Sequence, residues 1–179
     1  MSPHFFLQSF DVIDSTSMKA RELVMGGVAP WTVVVASEQN QGYGRKGNFW
    51  YSPIGGLYFS IILPRGDIND LQALTIFAAT TVSETLKEQF RIKPSIKLPN
   101  DVYLNDKKIC GILTENVVGE RVLFSVMGIG LNTNIEQFPH ELENGVTSLK
   151  IELGRTIDNE ALLEHIVTRL QDDFRTMNG

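Results

Sequence analysis

The hydrophobic rhythm of the chain changes several times, and each change marks an element. Ser15 and Thr16 precede "MKARELVMGG", where Ala20, Leu23 and Val24 recur at helical spacing and Gly26-Gly27 close the run, so a capped helix is predicted there. After Pro30, "WTVVVAS" is short, continuous and β-branched, and "GGLYFSIIL", ended by Pro64, repeats the pattern. Both read as strands buried on two faces. Residues 68 to 90 return to a helical period through Leu71, Leu74, Phe77, Ala78, Val82 and Leu86, with Asn69 or Asp70 as the cap. From 95 to 132 the chain breaks into short strands, and "LNDKKI" and "VVGERV" have the composition of tight antiparallel turns. Beyond Asp158, Leu162, Ile166, Leu170 and Phe174 lie on one face of an amphipathic helix.

This order is not the regular β–α alternation of a doubly wound fold. It predicts an α+β domain with one mixed, mostly antiparallel sheet and helices packed on it. No internal repeat, low-complexity run or linker divides the 179 residues, so one domain over 1–179 is expected.

Composition narrows the function classes. A net charge of −5 excludes a nucleic-acid binder held by overall charge. Locally the balance differs: from Gln39 to Gly66 there is no acidic residue, while Arg45, Lys46 and Arg65 supply three positive charges. Cys110 is the only cysteine, so no intrachain disulfide can form and a reducing compartment is expected. The first residues lack the basic region of a signal peptide, and the longest apolar run, 122 to 131, is half a membrane span. These points lead to an expectation of a cytoplasmic protein. His4, His140 and His165 are scattered, and with the lone cysteine they make no zinc spacing and no Cys–His nucleophile pattern.

Two stretches carry unusual chemistry. "GYGRKG", residues 42 to 47, spells G-x-G-x-x-G, yet Pro53, Gly55 and Gly56 occupy the place where a dinucleotide-binding helix would run. The loop is then either a plain hairpin connection or a glycine-rich anion cradle charged by Arg45 and Lys46. "KLPNDVYLNDKKICGIL" places Lys97, Asn100, Asp101, Lys107 and Lys108 on a strand–turn–strand, and Gly111 removes a side chain where a ligand can press close. Taken alone, that hairpin also fits a solvated face.

Together these stretches resemble the catalytic domain of the biotin protein ligases. "GYGRKGNFW" is similar to the family pattern G-R-G-R-x-G-x-x-W, "SPIGGLYFS" to its SP-G-LY-S, "KLPND" to K-W-P-N-D and "KICGIL" to K-x-x-G-I-L. "DSTS" at 14 to 17 resembles D-S-T-N, and "GIGLNTN" at 128 to 134 resembles G-x-G-I-N. The matches run in family order from Asp14 to Asn134. Three positions depart from the pattern: Tyr43 for the first arginine of the loop, Leu98 for tryptophan, and Ser17 for asparagine.

The resemblance implies a fold related to class II aminoacyl-tRNA synthetases and biotin ligases. It implies a two-step ligase that makes biotinyl-5′-AMP from biotin and ATP with Mg²⁺, then acylates a lysine of a biotin carboxyl carrier domain such as that of acetyl-CoA carboxylase. By the same resemblance Arg45, Lys108 and Asp101 are the catalytic candidates. Ser15, Thr16, Ser17, Gln39, Gly42, Tyr43, Gly44, Arg45, Lys108, Gly111 and Gly128 would surround biotin. Arg45, Lys46, Trp50, Lys97, Asn100, Asp101, Lys108 and Asn132 would serve ATP, and a metal site is not identified. The glycine loop would be disordered or open without ligand and close over the acyl-adenylate. The resemblance includes no N-terminal DNA-binding domain, so DNA is not an expected partner, and the small C-terminal barrel of many members would be absent or truncated. The short apolar runs leave no membrane partner expected either. A homodimer is expected by analogy alone. A lipoate protein ligase and a non-catalytic biotin-binding module are the rival readings.

Overall fold

The computed structural model describes residues 5–64, 70–118 and 122–178. Arg65, Asn69, His4 and the tip of the expected "VVGERV" turn lie outside that range. Seven strands form one sheet: β1 (Phe6–Ile13), β2 (Thr32–Gln39), β3 (Leu57–Leu63), β4 (Ser95–Lys97), β5 (Asp101–Leu104), β6 (Lys107–Val118) and β7 (Val122–Leu131). Their spatial order is β1-β2-β3-β7-β6-β5-β4. Among the described strands β1 and β2 pair in parallel and the other strand pairs are antiparallel. The expected mixed, mostly antiparallel α+β architecture is what the chain adopts.

The helices sit on both faces. They are α1 (Thr16–Met25), α2 (Leu71–Phe90), the short α3 (Leu149–Leu153) and α4 (Asn159–Asn178). Alternation along the strands sorts the core. Val33, Phe59, Ile61, Met127 and Ile129 pack with Leu74, Val82 and Leu86 of α2 and Leu163 and Ile166 of α4. Their neighbours Val34, Ile62 and Val126 point the other way and meet Ala20 and Val24 of α1. Strand β3 lies between these layers with all seven residues buried, which is why its sequence is apolar without alternation.

Local signals act as the sequence predicts. The Ser15 hydroxyl accepts from Met18 N at the start of α1, and Asp70 accepts from Ala73 N at 2.9 Å to cap α2. Leu104 pairs with Lys107 across Asn105 and Asp106, whose φ values are 49° and 62°. Two positive φ angles in a two-residue connection define a type I′ hairpin, the turn whose twist suits antiparallel strands.

Strand β1 has no counterpart among the predicted elements. It is an edge strand with one neighbour, and Phe6, Leu7 and Val12 are more than half exposed, so no inward-facing stripe marks it. Among the described residues no helix is long and apolar enough to cross a membrane.

Burial separates two phenylalanines by their cost. Phe59→Ala should lower stability by about 3–5 kcal/mol in urea unfolding, whereas Phe6→Ala, at an exposed edge, should stay within about 0.5 kcal/mol. Equal losses at the two positions would contradict the layer assignment.

Candidate active site

The centre of the α1-side face is bare. Gly111 on β6 pairs directly with Gly130 on β7, and one pleat further Leu113 pairs with Gly128. Three glycines on one side of two adjacent strands leave exposed backbone where side chains would otherwise fill the space between sheet and helix. Trp50 lies on this shelf. A methyl group at Gly130 would come within 2.3 Å of its Nε1, and one at Gly111 within 3.0 Å of its ring. The indole Nε1 is enclosed there with no hydrogen-bond acceptor.

A polar wall closes one side of the shelf. Gln39 Oε1 accepts from the backbone N–H of Thr16 at 2.8 Å and from its hydroxyl at 3.1 Å, while Gln39 Nε2 donates to Ser52 Oγ at 2.8 Å. Ser60 Oγ donates to Thr16 Oγ1 at 2.8 Å and lies 3.0 Å from Ser17 Oγ. Ser17 in turn fits only because residue 128 is glycine, whose Cβ would meet Ser17 Oγ at 2.5 Å. Ser15, Thr16, Ser17, Ser52 and Ser60 are all buried, so the start of α1 presents hydroxyls and backbone N–H groups in a dry setting.

The glycine loop leaves β2 and lies over this region as a small hairpin of its own. Tyr43 and Phe49 form an antiparallel bridge around a 3₁₀ turn at Arg45–Gly47, and Trp50 N donates to Gly42 O at 2.8 Å. Gly42 is pressed against Ser52 and the Trp50 carbonyl, and Lys46 is exposed with φ 59°. Arg45 Nη1 donates to Asn100 Oδ1 at 3.3 Å, which joins the loop to the segment between β4 and β5. On the same hairpin Lys108 Nζ lies 2.7 Å from Asp101 Oδ1 and 5.1 Å from the centre of the Trp50 ring. The cationic loop and the lysine hairpin therefore meet at Trp50.

Ser15, Thr16, Ser17, Gln39, Tyr43, Gly44, Trp50, Gly111 and Gly128 from the sequence reading all border one cavity of about 40 Å³. That holds roughly one water molecule, against the several hundred cubic ångströms typical of a ligand site. The indole occupies the remaining space. Three sequence candidates face elsewhere. Lys97 Nζ stacks over the Tyr103 ring at 4.0 Å, Lys46 stands on the loop surface, and the buried Asn132 donates from Nδ2 to Thr147 O at 3.0 Å. Leu98 is largely exposed.

Ser52, Ser60 and Gly130 belong to the site and were not singled out from sequence. Ser60 and Tyr58 carry the two hydroxyls of the otherwise apolar "LYFSIIL", so each must find a buried partner, but the sequence does not say which. Desolvation, then the Glu115 carboxylate, pushes the Tyr43 phenol up to about 12, so it stays a neutral donor. Burial also pushes the Cys110 thiol well up, which keeps it protonated and unreactive. Among the described residues no group of three or more His, Cys, Asp or Glu is placed to hold a metal ion.

The geometry defines a cleft that joins a polar pocket to a cationic loop on an α+β sheet. The profile of the biotin/lipoate A/B protein ligase family matches residues 9–132, and the chain belongs to that family. It is 38% identical over 170 residues to the bifunctional ligase/repressor BirA of Bacillus subtilis, covering 92% of this chain and 52% of the relative. It is 33% identical over 159 residues to the biotin–acetyl-CoA-carboxylase ligase of Paracoccus denitrificans, covering 84% of this chain and 65% of the relative. The chain thus spans about half the length of the BirA relatives that it matches. The biotin protein ligase of Aquifex aeolicus, solved in complex with biotin and ATP, superposes with a TM-score of 0.87 at 33% identity, covering 95% of this chain and 70% of that one.

The glycine shelf makes a direct prediction. In a Trp31→Phe background, Gly130→Ala should push the Trp50 indole off the sheet and shift its emission to longer wavelength. An unchanged spectrum would show that the indole does not cover the shelf.

Proposed function

We propose that this chain is an ATP-dependent biotin ligase domain that forms biotinyl-5′-AMP and passes the biotinyl group to a lysine of a carrier domain. The observation that carries the reading is the meeting of loop 42–50 and the 97–113 hairpin over the glycine shelf, through Arg45–Asn100 and Lys108–Trp50. Likeness to ligases supports it, one of them solved with biotin and ATP.

In the first step a biotin carboxylate oxygen attacks the α-phosphorus of ATP, the bond to the β-phosphate oxygen breaks, and pyrophosphate leaves. Two anions must approach, so preplaced positive charge lowers the barrier more than it strengthens binding. Lys108 suits this duty because Asp101 holds its ammonium beside the shelf; Arg45 supplies the second charge from the loop. The wall of buried Ser15, Thr16 and Ser17 with half-buried Gln39 offers donors and acceptors to the ureido ring. The apolar Leu113 and Trp50, which border the same cavity, would flank the bicycle or adenine after the indole moves. Asn100 lies within reach of the nucleotide. In the second step the amine of a carrier lysine attacks the acyl carbon, the bond to AMP breaks, and the amine sheds a proton.

Mg²⁺ is usually held by one or two carboxylates plus substrate phosphates rather than by a protein cage. Asp101, which unlike Asp106 of the turn lies beside Lys108, fits such a site, with Asn100 next to it. The ion would offset charge on the triphosphate. The single buried thiol suits a reducing cytoplasm, and biotin-dependent carboxylases supply the natural class of acceptor.

Biotin should drive exchange of labelled pyrophosphate into ATP, and lipoate should not. Exchange with lipoate instead, or biotin binding without pyrophosphate release, would overturn the reading in favour of its rivals. Lys108→Ala and Arg45→Ala should each slow single-turnover adenylate formation by about 10²–10³-fold while the unfolding midpoint stays near the parent's. A normal rate in either variant would remove that residue from the chemistry.

A further inference from the structure

The glycine loop carries one side chain that its motif does not explain. At residue 43 the chain has tyrosine where the family pattern has arginine. Its Oη donates to Glu115 Oε2 at 2.8 Å, across a separation of 72 residues. The other carboxylate oxygen of Glu115 lies 3.7 Å from Arg21 Nη1 on α1. Glu115 projects from β6 on the same face as Gly111, two pleats along, where its cross-strand partner is Val126. One phenol therefore ties together the loop, the strand that bears the shelf, and the helix that bears the hydroxyl wall.

Two features make this contact more than a surface bond. Glu115 is only about a quarter exposed, and its acceptor oxygen is charged, so the bond is of the stronger, charge-assisted kind. The phenol holds the base of the loop hairpin, while Arg45 at its turn is held by Asn100. The Tyr43–Phe49 bridge closes the hairpin at the base that the phenol holds. Holding base and turn together leaves the loop little freedom to swing from the cleft.

We infer that Glu115, backed by Arg21, is a positioning residue that straps the glycine loop over the cleft through Tyr43 and thereby sets how long an acyl-adenylate is retained. The strap rests on geometry alone, and its consequence for retention rests on the ligase reading above. On this account the tyrosine exchanges a loop cation for a mechanical tie.

Trypsin reads the strap directly, because Arg45 and Lys46 are exposed cleavage points inside the loop. In the ligand-free protein, Tyr43→Phe and Glu115→Ala should each speed cleavage there by about tenfold. Glu115→Gln, which keeps an acceptor oxygen but loses the charge, should fall between the parent and Glu115→Ala. The double variant Tyr43→Phe/Glu115→Ala should be no faster than either single, since both remove one tie. Release of preformed biotinyl-5′-AMP, followed by rapid filtration, should rank the four variants in the same order. Unchanged cleavage in both single variants, or effects that multiply in the double, would overturn the strap. Altered cleavage with unchanged release would overturn its role in retention. Should the parent protein form no acyl-adenylate, the ligase reading falls, and the trypsin series still decides the strap.

Discussion

Gly111 and Gly130 face each other across β6 and β7 without side chains, and such a bare patch between sheet and helix must be covered. The start of α1 sets Ser17 against Gly128 but, with Ser15 and Thr16 as its other residues there, offers no long apolar group to cover the Gly111–Gly130 pair. Trp50 covers it, and the loop that carries Trp50 is drawn onto the sheet with it. Arg45 then reaches the 97–113 hairpin, and Lys108 comes to stand over the indole. The glycines thus decide where the loop rests, and the loop decides where its charge falls.

Electrostatics sharpen the picture. The chain is acidic overall at −5, yet cations gather where the loop and hairpin meet. They are not neutralised alike: Lys108 has Asp101 at 2.7 Å, whereas Arg45 leans on a neutral amide. A paired lysine is held in direction, and an arginine on an amide keeps its full charge. Both arrangements are preorganised for an incoming anion.

The sequence disclosed elements better than it disclosed directions. Capping residues, the I′ turn at Asn105-Asp106 and the β-branched runs each act locally, so helices, hairpin and buried strands were legible. Edge strand β1 was not, because a strand with one neighbour and exposed Phe6, Leu7 and Val12 carries no inward stripe. At the site, the glycine loop and lysine hairpin stood out, and the structure brings them together. That Lys97 turns to Tyr103 and Asn132 to Thr147 depends on partners far along the chain or across a turn, which spacing cannot report. Ser52 and Ser60 were hidden for the same reason: a buried hydroxyl acquires meaning only from Thr16, Ser17 and Gln39, which tertiary folding brings to it.

The direct trial of this account is a crystal structure with a non-hydrolysable biotinyl-adenylate analogue. The expected result is an analogue seated on the Gly111–Gly130 shelf, its acyl–phosphate junction between Arg45 and Lys108, and the Trp50 indole lifted from the sheet. An analogue bound elsewhere, with the indole still resting on those two glycines, would contradict it.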